Sequence, residues 1–201
     1  MNEDYARGLL ADICAKLYER NLTVSAGGNM SMRVDDYMLI TPSGKNKGFV
    51  EPDDFVKMSM DGKVISGGKP SIEHKFHLAL YGRRGDTNAV IHCHPLYCTT
   101  LSLGKKKLNT SLTPEGVLLL GDVPTIPYFT PGSDGLVDAI AGHSQHDAML
   151  MAKHGALTQG KTLEEAYNRM EELEFQAHMQ LLSRHARNLP ADEIAKIRGM
   201  K

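Results

Sequence analysis

Near both ends of the chain apolar residues recur every three or four positions; through the middle they tend to alternate. Residues 4–20 place Leu10, Ile13 and Leu17 on one face, which predicts a helix. "TVSAGGNMSMRV" then reads as a glycine-rich break between short extended pieces, and "YMLITPSGK" as a strand ending in a turn. "VKMSMDGKVIS" alternates on both sides of Asp61-Gly62, a strong hairpin signal. "KPSIEHKFHLALYGRRG" predicts a helix with Ser71 as N-cap, an inner face of Ile72, Phe76 and Ala79 or Leu80, and Gly82 at its end. "NAVIHCH" is a strand, "VLLLGDVPTIPYFTPGS" is extended and turn-rich, and "DGLVDAIAGH" is helical. "AMLMAKHGALTQG" reads as two strands interrupted at His154-Gly155. Thr162 and Glu165 form a capping box. The long helix that follows carries Leu163, Ala166, Met170, Leu173, Ala177 and Leu181 on one face. Strands and helices are interspersed and one hairpin is clear, so an α/β layered fold with a partly antiparallel sheet is expected.

Composition narrows the class. The 201 residues carry 23 Lys+Arg against 24 Asp+Glu, a formal net charge of −1. That balance gives no electrostatic reason to expect nucleic acid or an anionic membrane as partner. The opening "MNEDYARGLL" has acids where a secretion signal has bases. No stretch approaches the ~20 apolar residues of a membrane span. Cys14, Cys93 and Cys98 are odd in number and not spaced as a disulfide framework, so a reducing cytoplasmic home is expected. No repeat, low-complexity tract or linker divides the chain, and one domain over residues 1–201 is expected.

The chemistry is concentrated in "AVIHCHPLYC". In a strand, residues i and i+2 share a face, so His92 and His94 point together and Cys93 points away. Their Cα atoms stand about 6–7 Å apart, close enough for both imidazoles to lean onto one ion. The pair alone is equally compatible with two ordinary strand histidines. His154 ends an apolar strand just before a glycine, where a buried imidazole needs a partner: a metal or a backbone group. Glu73 lies in the first turn of the helix before the H-x-H strand, a position also common for exposed glutamates. Three histidines leave one zinc position open, the pattern of a catalytic centre. His77 shares the Glu73 face and reads as a packed histidine or an outer neighbour of the site. "SAGGNMS" and "TPSGK" are not Walker loops. Gly27, Gly28 and Gly44 can still turn N–H groups inward, Asn29 and Ser43 add donors, and Ser71 starts a helix. Together they suggest a phosphorylated small molecule.

"SAGGNMS", "TPSG", "PSIEHKFHLALY", "IHCHP", "PEGVLLLGDVP", "PYFTPGS" and "KHGAL", in that order, resemble the class II aldolase/adducin family over about residues 5–185. Within it the fuculose-1-phosphate aldolases look nearest. The resemblance implies a three-layer αβα sandwich around a central, mainly antiparallel sheet, and a homotetramer. It implies that His92, His94, His154 and Glu73 hold one zinc ion, with Glu73 also the catalytic base. Gly28, Asn29, Ser43, Gly44 and Ser71 would hold the substrate phosphate. The implied reaction is reversible cleavage of a ketose 1-phosphate to dihydroxyacetone phosphate and a small aldehyde. Other branches imply a 5-deoxyribulose or methylthioribulose 1-phosphate aldolase, a ribulose-5-phosphate 4-epimerase, a methylthioribulose-1-phosphate dehydratase, or an adducin-like binding module. The sequence departs from the pattern in three places. Ile72 stands where a second small hydroxyl residue often follows Ser71. "SLTPEGV" replaces a segment that carries a tyrosine, and nothing after residue 181 is Phe, Trp or Tyr. Glu115 and Tyr128 are the candidates for protonating a departing aldehyde oxygen.

Overall fold

The computed structural model describes residues 2–183 and 185–200. Eight strands form one sheet: β1 (Asn29–Val34), β2 (Tyr37–Ile40), β3 (Val56–Ser59), β4 (Val64–Ser66), β5 (Ala89–Cys93), β6 (Thr125–Ile126), β7 (Ala148–Met151) and β8 (Gly155–Gly160). Their spatial order is β4-β3-β2-β1-β5-β8-β7-β6. Every pairing is antiparallel except β6 with β7. The hairpin at Asp61-Gly62 and the strand pair broken at His154 form as the alternation predicts.

Alternation sorts the strand residues onto two cores. Met30, Met32, Ile91, Cys93, Leu150 and Ala156 face one cluster, shared with α1 (Glu3–Glu19) and α5 (Leu163–Leu182). Val90, Met149, Met151 and Leu157 face the other, shared with α2 (His74–Arg83) and α4 (Asp134–Ala141). Helices therefore cover both faces of the sheet, giving the expected three layers. Leu10 is fully buried on α1. Leu10→Ala is expected to cost about 2–5 kcal/mol, read as a lower urea midpoint at unchanged slope.

Four local expectations need correction. α2 begins at His74 with Glu73 at the N-cap, not at Ser71, and runs through Gly82 to Arg83. The later start turns Ile72 outward, 55% exposed, and the inner face becomes Phe76, His77, Leu80 and Tyr81. Residues 116–120 form a π-helical turn against α5 rather than an extended piece. Leu181 lies 37% exposed, because the buried stripe of α5 ends at Ala177. Two short helices, α3 (Leu96–Ser102) and α6 (Ala191–Arg198), complete the fold.

Candidate metal centre and adjoining cavity

The site lies where β1, β5 and β8 adjoin, on the sheet face covered by α2. His92 is the fourth residue of β5, opposite Asn29 on one side and Leu157 on the other. Phe76 of α2 meets its ring edge-on, with centroids 5.8 Å apart. β5 ends at Cys93, so His94 stands just past the strand, yet it stays on the His92 side. The two Nε2 atoms are 3.1 Å apart. His154 follows Lys153, which has a positive φ of 56°, in the tight β7–β8 turn. Its ring centre is 4.7 Å from that of His92. One nitrogen from each of the three histidines lies within 4.8 Å of the others.

Glycine allows this crowding. A Cβ on Gly155 would stand 2.3 Å from the Cys93 carbonyl oxygen and 2.7 Å from His94 Cδ2. Gly28, at φ +72°, is pinned the same way: a Cβ there would lie 2.5 Å from the His92 carbonyl oxygen.

Hydrogen bonding orients the lone pairs. His92 Nδ1–H donates to the Ala156 carbonyl at 2.9 Å, which leaves Nε2 unprotonated and free to ligate. Burial, with His154 adding to it, pushes the His92 imidazole down to about 3. Burial likewise takes His94 to about 3 and lowers His154. At neutral pH the three rings are uncharged.

Glu73 is buried at the entrance of α2. Its Oε2 stands 3.4 Å from His92 Nε2, and its Oε1 stands 3.6 Å from His154 Nε2. Oε1 has no hydrogen-bond partner. An orphaned buried carboxylate oxygen beside three clustered imidazoles fits a divalent cation. The 3.1 Å nitrogen separation is close to the ~3.3 Å edge of a tetrahedron with zinc–nitrogen bonds of about 2.0 Å.

The other carboxylate oxygen ends a chain of side chains. Asn29 Nδ2 donates to Glu73 Oε2 at 2.8 Å. A carboxylate only accepts, so the Asn29 carbonyl must face the other way, toward His77 Nε2 at 2.6 Å. His77 therefore donates from Nε2 and accepts at Nδ1 from Ser31 Oγ–H, 2.7 Å away. Ser31 in turn accepts from Tyr81 O–H at 2.6 Å. All these groups are buried, and burial holds the His77 imidazole well below its ordinary value, hence neutral. Every hydrogen points toward Glu73. Asn29 and Ser31 share the sheet face opposite Met30 and Met32, while His77 and Tyr81 are four apart on α2.

A cavity of about 260 Å³ adjoins Glu73, His94 and His154, lined also by Gly27, Gly28, Asn29, Ser43, Gly44, Lys47 and Ser71. An isolated bridge between Pro42 and Pro70 holds the "TPSG" turn beside the start of α2. The structure thus brings the five expected phosphate residues to one cavity with Glu73, His94 and His154. Glu115 and Tyr128 do not line it: Glu115 is exposed at the π-helical turn and Tyr128 is 57% exposed. Lys47 lines it and was not anticipated.

Residues 8–181 match the family described as "Class II Aldolase and Adducin N-terminal domain". The chain belongs to this family. It is 40% identical over 171 residues to an L-fuculose phosphate aldolase of Methanocaldococcus jannaschii, covering 85% of this chain and 93% of that one. It is 35% identical over 204 residues to a 3-oxo-tetronate 4-phosphate decarboxylase of Pectobacterium atrosepticum, covering 98% and 94%. Among solved structures, Escherichia coli YgbL superposes with a TM-score of 0.93 at 35% identity, covering 98% and 99%. The aldolases and decarboxylases among these relatives are lyases of a metal-dependent family acting on phosphorylated sugars, and among the described residues the histidine triad is able to hold a metal. Among the described residues, no helix is long and apolar enough to cross a membrane.

Proposed function

We propose that the chain is a zinc lyase that breaks a carbon–carbon bond beside the ketone of a phosphorylated sugar derivative, leaving the enediolate of dihydroxyacetone phosphate. The supporting observation is the orphaned Oε1 of Glu73 facing three uncharged histidines beside a donor-rich cavity. His92, His94, His154 and Glu73 would hold the ion. When bound, it supplies Lewis-acid stabilisation of the negative charge that develops on the ketone oxygen.

The chain's own groups do the rest. Gly28, Asn29, Ser43, Gly44 and Ser71 grip the phosphate, so binding energy from a non-reacting part of the substrate positions the ketone. Glu73 takes the proton from the carbon beside the carbonyl in the synthetic direction and returns it in cleavage. Asn29, fixed by His77, holds Oε2 and leaves Oε1 for that carbon.

Two substrate classes reach this enediolate. The first is a ketose 1-phosphate of the fuculose type, which also releases a small aldehyde. The second is a 3-oxo-tetronate 4-phosphate, as in the decarboxylase relative. Loss of carbon dioxide from its C1 leaves the same enediolate across C2 and C3. The cavity lining favours the second reading in one respect. Among the described residues that line it there is no tyrosine and no carboxylate besides Glu73. Aldol cleavage needs a group to manage the proton of the departing aldehyde oxygen, whereas decarboxylation does not.

Zinc-loaded protein should therefore be offered ketose 1-phosphates, 3-oxo-tetronate 4-phosphate and pentulose phosphates in turn. Dihydroxyacetone phosphate is followed by coupled reduction and carbon dioxide is trapped. Dihydroxyacetone phosphate should form from at least one of the first two classes. Epimer or dehydrated product alone, with no carbon–carbon cleavage, would overturn the proposal.

A further inference from the structure

Lys47 is 1% exposed. Its Nζ donates to the Ala26 carbonyl at 3.0 Å and to the Lys45 carbonyl at 2.8 Å. These carbonyls belong to the two glycine turns that border the cavity, and Lys47 itself lines it. No carboxylate of the described residues lies within 4.0 Å of this amine.

A buried ammonium without an anion is expensive. An ammonium has three N–H groups and two are used. The residue that carries this charge lines a cavity that already offers neutral donors from Ser43 and Ser71 and turns at Gly28 and Gly44. We infer that Lys47 is a specificity-determining residue that supplies the positive charge for the substrate's phosphate, so that the cavity selects a phosphorylated ketone over its unphosphorylated counterpart. This rests on the proposed phosphate cradle and adds a residue to it. Burial alone lowers the proton affinity of Lys47, and a phosphate dianion beside it would hold the proton in place.

The probe is inorganic phosphate, measured by calorimetry on the zinc-loaded chain and as a competitor of turnover. Lys47→Met preserves length and removes the charge. It is expected to weaken phosphate binding by about 10- to 100-fold. It should also raise KM for the phosphorylated substrate by a similar factor, with kcat within about 3-fold and zinc content unchanged. Lys47→Gln keeps a donor for one of the two turn carbonyls; a similar loss of affinity separates lost charge from lost tethering. Wild-type phosphate affinity in both variants overturns the inference and leaves the lyase reading standing. A wild-type chain that neither binds phosphate nor turns over any phosphorylated ketone removes both. Should either variant fail to fold, 15N-lysine spectra of the wild-type chain provide the reading. The Lys47 Nζ resonance should move as phosphate saturates, and an unmoved resonance overturns the inference.

Discussion

Stripping divalent metal from the protein is expected to lower lyase turnover by about a thousand-fold or more, and added zinc to restore it. One equivalent per chain should return, read by elemental analysis alongside the assay. His94→Ala should lose both the ion and the activity without a comparable loss of fold, since His94 stands past the end of its strand rather than within the ladder. Full turnover in thoroughly chelated protein would remove the metal from the mechanism. Acid adds a second signature. In the metal-free protein the His92 ring titrates at about 3 when folded and near 6.5 when unfolded. Its contribution to stability is complete above about pH 6.5 and is lost progressively as pH falls toward 3. Urea midpoints of the metal-free protein should therefore drop across that window, and the zinc-loaded protein should resist the first part of the drop.

Replacing Glu73 with Gln should reduce kcat by about 10²- to 10⁴-fold while KM changes by less than about 3-fold. The substitution keeps an oxygen for the Asn29 amide and removes the base. A direct reading is available without knowing the carbon partner. Wild-type protein in D₂O should exchange the proton beside the carbonyl of dihydroxyacetone phosphate, and Glu73→Gln should not. Undiminished exchange in the variant would place the base elsewhere. Because this step is shared by aldol cleavage and decarboxylation, the outcome is independent of which substrate class is natural.

The four residues of the proposed metal site stand out in the sequence because each breaks a pattern. His92 and His94 interrupt an apolar alternation on one face, His154 closes an apolar strand before glycine, and Glu73 precedes an amphipathic helix. Strand periodicity also assigns most of the sheet. Its limits lie at the ends of elements. Ser71 looks like an N-cap, but its hydroxyl accepts the Glu73 N–H while the helix starts later, which rotates Ile72 outward. The π-helical turn at Gly116–Leu120 has no local signature separating it from an extended apolar run. Lys47 lies in a polar stretch, "SGKNKGF", that reads as surface. Only the tertiary approach of the Ala26 and Lys45 carbonyls makes its burial tolerable. The Tyr81–Ser31–His77–Asn29 chain fails for a similar reason: each link is ordinary in sequence, and the register between β1 and α2 creates it.

The strands that frame the candidate centre are neighbours in space but far apart in sequence, with β1, β5 and β8 starting at residues 29, 89 and 155. No hairpin or single helix of the chain contains three of the four ligating positions. A partly folded intermediate thus has little to offer a cation, and capture must wait until distant segments have closed upon each other. An ion held by the proposed ligands would bind only the closed architecture and so add to its stability as a whole, and scarcity of the metal would be felt by the whole molecule rather than at one corner of it.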